Sequence, residues 1–240
     1  MRFSIRRGVN LQSFEESLTS LDGIPIELAL PHRLDDFLAD MDRLDDLAAH
    51  VQDTGIIVSS VHAPQGRLAD EDFMQWAVPT IRCAEKTGAP VAVFHPESAP
   101  KLSKPSAQSI ALRNVKRLQR ETSVTVAIET FGSAKRVLTP EEAIERGLPL
   151  VLDTSHLFVR RIFEIIEAYH AGIVGVHLSE IRYDDEAGHD LPHMPVASYG
   201  IEVLQALRAR GWDGNVTLEY LPQYHDRLIP HRADLEELFR

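Results

Sequence analysis

The chain has 240 residues, 44% of them hydrophobic, and its 36 Asp and Glu against 25 Lys and Arg give a net charge of −11. This length fits one large domain spanning residues 1–240, and the acidic balance disfavours nonspecific binding to nucleic acid or anionic lipid. The single Cys83 excludes an internal disulfide and indicates a reducing compartment. Because neither a signal peptide nor a membrane span is recognisable, a cytoplasmic protein is expected.

Short apolar segments alternate with amphipathic segments along the whole chain. Apolar runs of four to eight residues predict strands that are covered on both faces, as in parallel sheets. The predicted strands are residues 2–5, 25–30, 55–62, 90–95, 124–129, 148–153, 173–178 and 215–218. Their regular spacing, without a glycine-rich first turn, favours an α/β protein with a single-domain (β/α)8 TIM barrel. An open doubly wound sheet is the alternative.

The amphipathic segments between these strands predict helices on the outside of the barrel. They are residues 34–51, 70–86, 106–121, 140–146, 161–171, 199–210 and 233–239. Pro79 should kink or divide the second of them. Residues 181–198 are rich in Asp, His and Pro and predict a long loop at the functional end of the barrel.

Three acids end predicted strands, namely Glu129, Asp153 and Glu219. A buried carboxylate needs a partner, which is either an arginine from a neighbouring strand or a bound cation. Few Lys or Arg residues lie at the strand ends, so the pattern favours a cation. Carboxylate oxygens combined with imidazole nitrogens suit divalent ions such as Mn²⁺, Zn²⁺ or Mg²⁺.

Histidines accompany these acids. His62, His95 and His177 each lie at or near the end of an apolar run, and His156 follows Asp153 by three residues. A lone histidine in such a place is commonly a satisfied core residue, but three in equivalent positions indicate a shared site. His193 lies in the predicted long loop and has the weakest case.

These motifs carry a resemblance that covers nearly the whole chain and is strongest over residues 58–220. They are VHAP (61–64), FHPE (94–97), AIET (127–130), LDTSH (152–156), GVHLSE (175–180), HMP (193–195) and TLEY (217–220). In this order they resemble the xylose isomerase-like (β/α)8 barrels. That superfamily includes sugar isomerases and epimerases and the endonuclease IV type of abasic-site nuclease, AP endonuclease family 2.

For the epimerase branch, the resemblance implies one divalent ion, Mn²⁺ or Zn²⁺ before Mg²⁺ or Co²⁺, held by Glu129, Asp153, His177 and Glu219. Glu129 and Glu219 would then be the catalytic acid/base pair, moving a proton beside a carbonyl through an enediolate. The substrate is expected to be a small sugar or sugar phosphate of carbohydrate metabolism. The candidate substrate contacts are His62, His95, His156, Glu180, Arg182 and His193, with a solvated loop as the alternative for Glu180 and Arg182.

For the nuclease branch, the resemblance implies a cluster of three metal ions and a nucleic-acid partner. Its ligands would be His62, His95, Glu129, Asp153, His156, His177, His193 and Glu219. Two departures disfavour this branch. Leu191 stands where its pattern has an Asp, and Gln65-Gly-Arg lacks the bulky side chains that would invade an abasic duplex.

The main prediction is therefore a metal-dependent isomerase or epimerase, with the nuclease as the alternative. A barrel that binds or senses a ligand without turnover is a third hypothesis, since fold alone does not fix function. No membrane partner is expected. The oligomeric state stays open, although barrels of this sort often pair as homodimers.

Overall fold

A computed structural model describes residues 1–19, 21, 23–133, 135–184 and 189–240. Its strands are β1 (Arg2–Gly8), β2 (Ile26–Ala29), β3 (Val58–His62), β4 (Val91–Phe94), β5 (Thr125–Glu129), β6 (Leu150–Asp153), β7 (Ile173–Leu178), β8 (Glu180–Asp184), β9 (His189–Met194) and β10 (Asn215–Leu218). Eight of these form a closed parallel barrel in the order β1-β10-β7-β6-β5-β4-β3-β2. The predicted (β/α)8 barrel is confirmed.

Helices surround the barrel because each buries one apolar stripe against the outward faces of the strands. They are α1 (Phe14–Ser17), α2 (Leu34–Ala39), α3 (Leu44–Thr54), α4 (Phe73–Thr87), α5 (Lys104–Arg120), α6 (Pro140–Glu145), α7 (Val159–Tyr169), α8 (Ser198–Arg208) and α9 (Leu228–Leu238). Within the described residues, no helix combines the length and the apolar character needed to cross a membrane.

Two helix predictions differ from the structure. The predicted helix over residues 34–51 is divided into α2 and α3 by the 3₁₀ turn Met41–Arg43. Conversely, α4 is one continuous helix across Pro79, so division at this residue is wrong, while a kink there stays a prediction. The apolar stripe of α4 is packed on both sides of the proline, with Trp76 and Ile81 buried. This tertiary packing outweighs the local cost of the proline.

The predicted long loop over residues 181–198 contains a two-stranded antiparallel hairpin, β8–β9. Residues 185–188 between the two strands lie outside the described residues. Polar residues dominate both strands and Pro192 lies within β9, so the sequence lacks the apolar alternation that would predict a strand. The hairpin follows β7 directly and brings His193 beside the barrel mouth.

The barrel interior has an apolar layer below its carboxyl end. Val93, Ala127 and Val151, on three adjacent strands, form a buried cluster with Val91 and Val174 packed against it. Alternate residues on a strand face the same side, so the next inward position on β6 is Asp153. The interior therefore changes from apolar to ionisable within two residues of one strand.

Candidate metal centre

The carboxyl ends of the barrel strands bring the predicted acids and histidines together. Asp153 and His177 stand opposite each other in the register of β6 and β7, and Glu129 ends the next strand, β5. All three are at most 1% exposed. Parallel strands end at the same face of a barrel, so residues distant in sequence meet at this mouth.

A four-residue cluster surrounds one nitrogen of His177. His177 Nδ1 lies 2.7 Å from Glu129 Oε1, 3.3 Å from Glu219 Oε2 and 3.8 Å from Asp153 Oδ2. Each of the four residues offers a ligand atom, and these atoms lie within 4.8 Å of one another. Cluster A is defined as Glu129, Asp153, His177 and Glu219, the set expected to hold a single ion.

Asp153 has two differently used oxygens. Its Oδ1 accepts hydrogen bonds from the backbone N–H of Ser155 at 2.6 Å, from the Ser155 hydroxyl at 2.9 Å and from the backbone N–H of His156 at 3.1 Å. These bonds fix the Asp-Thr-Ser-His turn after β6. Oδ2 is buried and has no hydrogen-bond partner among the described residues. One oxygen shapes the turn, and the other faces the site.

A second group adjoins the first. His62, His95 and Glu129 also offer ligand atoms within 4.8 Å of one another, and they are called cluster B. His95 Nε2 lies 2.5 Å from Glu129 Oε2, and His62 Nε2 lies 3.3 Å from the same oxygen. Glu129 belongs to both clusters and uses a different oxygen in each. Clusters A and B are thus two adjacent candidate cation positions that share one carboxylate.

His156 and His193 lie at the rim above these clusters. His156 Nε2 is 3.8 Å from Asp153 Oδ2, and its ring stacks on Phe131 with centroids 4.2 Å apart. His193 has a φ of 56°, a left-handed conformation that a non-glycine residue seldom adopts. Its Nδ1 lies 3.2 Å from the Ser155 hydroxyl and 3.7 Å from Glu219 Oε1. Both imidazoles can reach a ligand seated on the clusters.

His156 and His193 do not complete a third metal position within the part of the chain that the structure describes. Leu191 occupies the place where the nuclease pattern has an acid, and it pairs with Arg182 across the β8–β9 hairpin. A third group of ligand atoms within 4.8 Å of one another does exist, but it consists of Glu27, His62 and His177, which is not the set implied for the nuclease branch.

Glu180 and Arg182 have local partners. Glu180 is buried, and its Oε1 accepts hydrogen bonds from the backbone N–H groups of Ala197 at 2.7 Å and Gly200 at 3.1 Å. Arg182 donates to the carbonyl of Pro195 at 2.8 Å. These contacts tie the hairpin to the start of α8. Substrate contact by Glu180 or Arg182 stays a prediction.

The structure adds Arg6 and Glu27 to the site, and neither was predicted to belong to it. Arg6 on β1 forms an ion pair with Glu219 and lies 3.9 Å from Glu27 Oε1. The expectation that few basic residues neutralise the acids is thus wrong for Glu219. Burial opposes its charge and is the largest single influence, but Arg6, His177 and His193 together overcome it and lower the pKa of Glu219 far below its usual range. An acid inside the apolar run Pro25–Leu30, as in IELA of β2, was the available signal for Glu27.

Glu129 and Asp153 of cluster A have pKa values that are shifted in opposite directions. Burial tends to raise the pKa of Glu129, but His95 and His177 overcome it and hold that pKa well below the usual range. For Asp153, burial is the dominant cause and raises the pKa, since His156 compensates only in part. Asp153 is consequently a buried carboxylate that lacks a sufficient positive partner.

The pKa values of the buried histidines His62 and His177 are shifted in opposite directions. Burial and, secondarily, the charge of Arg6 lower the pKa of His62 to about 4. His177 is equally buried, but Glu27 and Glu129 outweigh burial and raise its pKa well above the usual range. His62 therefore presents a neutral nitrogen at neutral pH. His177 is held between two carboxylates that favour a positive charge at its position.

The residues fit a divalent cation on two grounds. Asp153 Oδ2, which faces cluster A, is a buried atom without a hydrogen-bond partner among the described residues. In addition, when the histidines are neutral, as metal ligands must be, the inward carboxylates of Glu27, Glu129, Asp153 and Glu219 are only partly compensated by the guanidinium of Arg6. The excess is three negative charges, more than one divalent ion compensates. Buried charges of this kind are stable only when paired.

Comparisons with known proteins agree with this architecture. No curated protein sequence matches the chain. Among solved structures, a xylose isomerase domain-containing protein from Salmonella typhimurium has a TM-score of 0.67 at 18% identity, over 98% of this chain and 96% of that one. Endonuclease IV from Thermus thermophilus has a TM-score of 0.63 at 14% identity, over 99% and 100% of the two chains.

The TTHB071 protein, also from Thermus thermophilus and solved after soaking with ZnCl₂, has a TM-score of 0.64 at 20% identity and covers both chains fully. Identities this low show the fold alone. The family model described as "Xylose isomerase-like TIM barrel" matches residues 21–238. This chain belongs to the xylose isomerase-like TIM barrel family.

Proposed function

We propose that this protein is a divalent-metal-dependent isomerase or epimerase that acts on a small sugar or sugar-phosphate-like substrate. The observation that carries the proposal is cluster A. Its Glu129 and Glu219 lie 2.7 Å and 3.3 Å from the same nitrogen of His177. Two carboxylates beside one cation position are the parts that proton transfer next to a carbonyl requires. Membership of a family that includes sugar isomerases supports this proposal.

Glu129, Asp153, His177 and Glu219 would hold the ion. A divalent ion there supplies an electrophile that polarises the carbonyl and the neighbouring hydroxyl of the substrate. Mn²⁺ and Zn²⁺ suit this set of three carboxylates and one imidazole, and Mg²⁺ and Co²⁺ are the alternatives.

Glu219 is the better-placed base. It is less buried than Glu129, with side chains 15% and 1% exposed, and Arg6 keeps it ionised. Glu219 would remove the proton from the carbon beside the carbonyl and leave an enediolate. Glu129, whose Oε2 lies 2.5 Å from His95 Nε2, would return a proton to the enediolate, and Glu219 would release its proton to solvent, so that the cycle balances.

The remaining rim residues would orient the substrate. His156 and His193 are partly exposed and can donate to substrate hydroxyls. The Phe131 ring under His156 limits how that imidazole can turn. Proton transfer of this kind contributes roughly 10²- to 10⁴-fold to rate, and the rest must come from orientation and the cation.

Deuterium exchange tests the reaction without knowledge of the exact substrate. A panel of ketoses, aldoses and their phosphates is incubated in D₂O with metal-loaded protein, and proton NMR follows loss of the signal at the carbon beside the carbonyl. We expect exchange in at least one sugar. Glu219→Gln and Glu129→Gln should each slow it by about 10²-fold or more. Wild-type protein that exchanges no member of the panel contradicts the proposal.

Cluster B favours a second candidate, hydrolysis of a phosphodiester as in the endonuclease IV branch. Two ions sharing Glu129 would neutralise the excess charge and would together activate water and stabilise a leaving oxygen. Cleavage of abasic DNA or of bis-p-nitrophenyl phosphate, with two bound ions per chain, would support this candidate. One ion per chain and no phosphodiester cleavage would exclude it.

A further inference from the structure

Glu27 occupies an unusual place for a charged residue. It lies inside β2 rather than at a strand end, and it is 1% exposed. Its neighbours in register are Arg6 on β1 and Ser60 on β3. A carboxylate at such a position destabilises the fold unless its partners are well placed. The identity of those partners therefore bears on what Glu27 does.

The contacts of Glu27 converge on one predicted metal ligand. Glu27 Oε2 lies 2.9 Å from His177 Nε2 and accepts a hydrogen bond from the Ser60 hydroxyl at 2.7 Å. The opposite nitrogen, His177 Nδ1, faces Glu129, Asp153 and Glu219. His177 thus bridges Glu27, deep in the barrel, and cluster A at the mouth.

An imidazole that binds a cation through one nitrogen must carry its proton on the other. Cluster A faces Nδ1, so the proton must lie on Nε2. A carboxylate 2.9 Å from Nε2 accepts that proton in a hydrogen bond and fixes the ring orientation. A charged acceptor also makes the free Nδ1 a stronger electron donor.

We propose that Glu27 is a positioning residue of the metal centre, which holds His177 in the Nε2–H tautomer with Nδ1 directed at the cation. The inference rests on the metal centre of the proposed function but not on its reaction. Ser60 orients the carboxylate, and Arg6 moderates the charge of Glu27 and Glu219 together.

Direct coordination is the competing role, because Glu27, His62 and His177 also offer ligand atoms within 4.8 Å of one another. That role would use His177 Nε2 and would leave Nδ1 protonated and facing three carboxylates. A neutral imidazole has one lone pair and cannot serve cluster A and a deep ion together. The two roles therefore predict opposite tautomers and different numbers of ions.

The test compares Glu27→Gln and Glu27→Ala with wild type. Affinity for Zn²⁺ and Mn²⁺ is measured by competition with a chromophoric chelator, ions per chain by elemental analysis, and folding by circular dichroism in chelator. We expect Glu27→Gln to bind about 10-fold more weakly and Glu27→Ala up to about 100-fold more weakly, with unchanged stoichiometry. Glu237→Gln, an exposed change of the same charge on α9, should bind like wild type.

Folded Glu27 variants that bind metal with wild-type affinity would overturn the proposal, and so would variants that lose one ion per chain. Long-range ¹H–¹⁵N NMR of the metal-loaded wild type does not depend on variant folding and should show His177 protonated at Nε2. Protonation at Nδ1 would overturn it. Wild-type protein that binds no divalent ion overturns this inference and the proposed function together, whereas metal binding without sugar exchange contradicts only the proposed reaction.

Discussion

The two ends of the barrel interior are built by the same strands and have opposite properties. Val151 on β6 packs with Val93 and Ala127 in an apolar layer, and two residues later Asp153 enters a layer of carboxylates and imidazoles. The lower layer stabilises the fold by removing apolar surface from water. The upper layer concentrates carboxylates that Arg6 and the histidines compensate only in part, so a bound cation should stabilise it further. The fold therefore depends on one end, and the chemistry on the other.

The largest expected effect comes from introducing asparagine into the lower layer. Val151→Asn removes a buried side chain and places an amide among apolar neighbours, so we expect the free energy of unfolding to fall by about 3 to 5 kcal/mol. Urea unfolding followed by circular dichroism measures the change. A loss below about 1 kcal/mol would contradict the assignment of Val151 to a stabilising layer.

A bound cation should stabilise the upper layer. At a free metal concentration roughly 100 times Kd, binding to the folded state alone adds about 2.7 kcal/mol to the free energy of unfolding. We expect Zn²⁺ or Mn²⁺ to raise the unfolding midpoint of wild-type protein and EDTA to reverse it. Asp153→Asn should abolish most of this response. An equal response in both proteins would remove Asp153 from the cation site.

In metal-free protein, Asp153→Asn should raise the free energy of unfolding, whereas Val151→Asn should lower it. Asp153→Asn can keep the Oδ1 hydrogen bonds and removes a buried charge that lacks a sufficient partner, so we expect metal-free stability at pH 7 to rise by about 1 kcal/mol. The folded pKa of Asp153 is raised above its ordinary 3.8. The folded state therefore holds its proton more tightly, and the stability that Asp153 contributes falls as pH rises from about 4.

The corresponding measurement is the difference in unfolding free energy between metal-free wild type and Asp153→Asn across roughly pH 4 to 7. The advantage of the variant should grow with pH. An advantage that shrinks with pH would show that Asp153 has a stabilising partner in the folded protein.

The reactivity of the Cys83 thiol should distinguish a substitution in the lower layer from one in the upper layer, and it can be measured without mutating Cys83. It is buried on α4, and burial raises the pKa of its thiol to about 12. Native wild type and Asp153→Asn should therefore resist thiol reagents at about pH 8, while Val151→Asn should be labelled through transient unfolding. Rapid labelling of native wild type would contradict the described packing of α4.

The sequence predicts the barrel well because each strand is an apolar run that ends in a polar residue. The ends of these apolar runs also predict that His62, Glu129, Asp153 and Glu219 lie at one site, since the carboxyl ends of barrel strands share one face. His95 and His177 follow from the same rule. The structure brings all of them together, and their roles as ligands or catalysts stay predictions.

Glu27 was not predicted because a search of strand ends passes over residues inside strands, and Arg6, which directly follows the predicted strand 2–5, was not predicted because a basic side chain is not a metal ligand. Their importance depends on which strands are neighbours, and β1, β2 and β10 meet only when the barrel closes. The β8–β9 hairpin was not predicted because its polar strands lack the alternation of apolar and polar residues, and one of them contains Pro192. Non-local pairing, rather than local propensity, determines each of these features.

Glu129 gives one carboxylate oxygen to each of the two donor clusters. Two ions bound there would not be independent, because each ion would change the electron density and the orientation of the Glu129 carboxylate that binds the other ion. Linkage requires that the first ion changes the affinity of the second by the same factor that the second changes the first. If both clusters fill, a metal titration of this protein should therefore be cooperative or anticooperative, with Glu129 as the residue that sets the coupling.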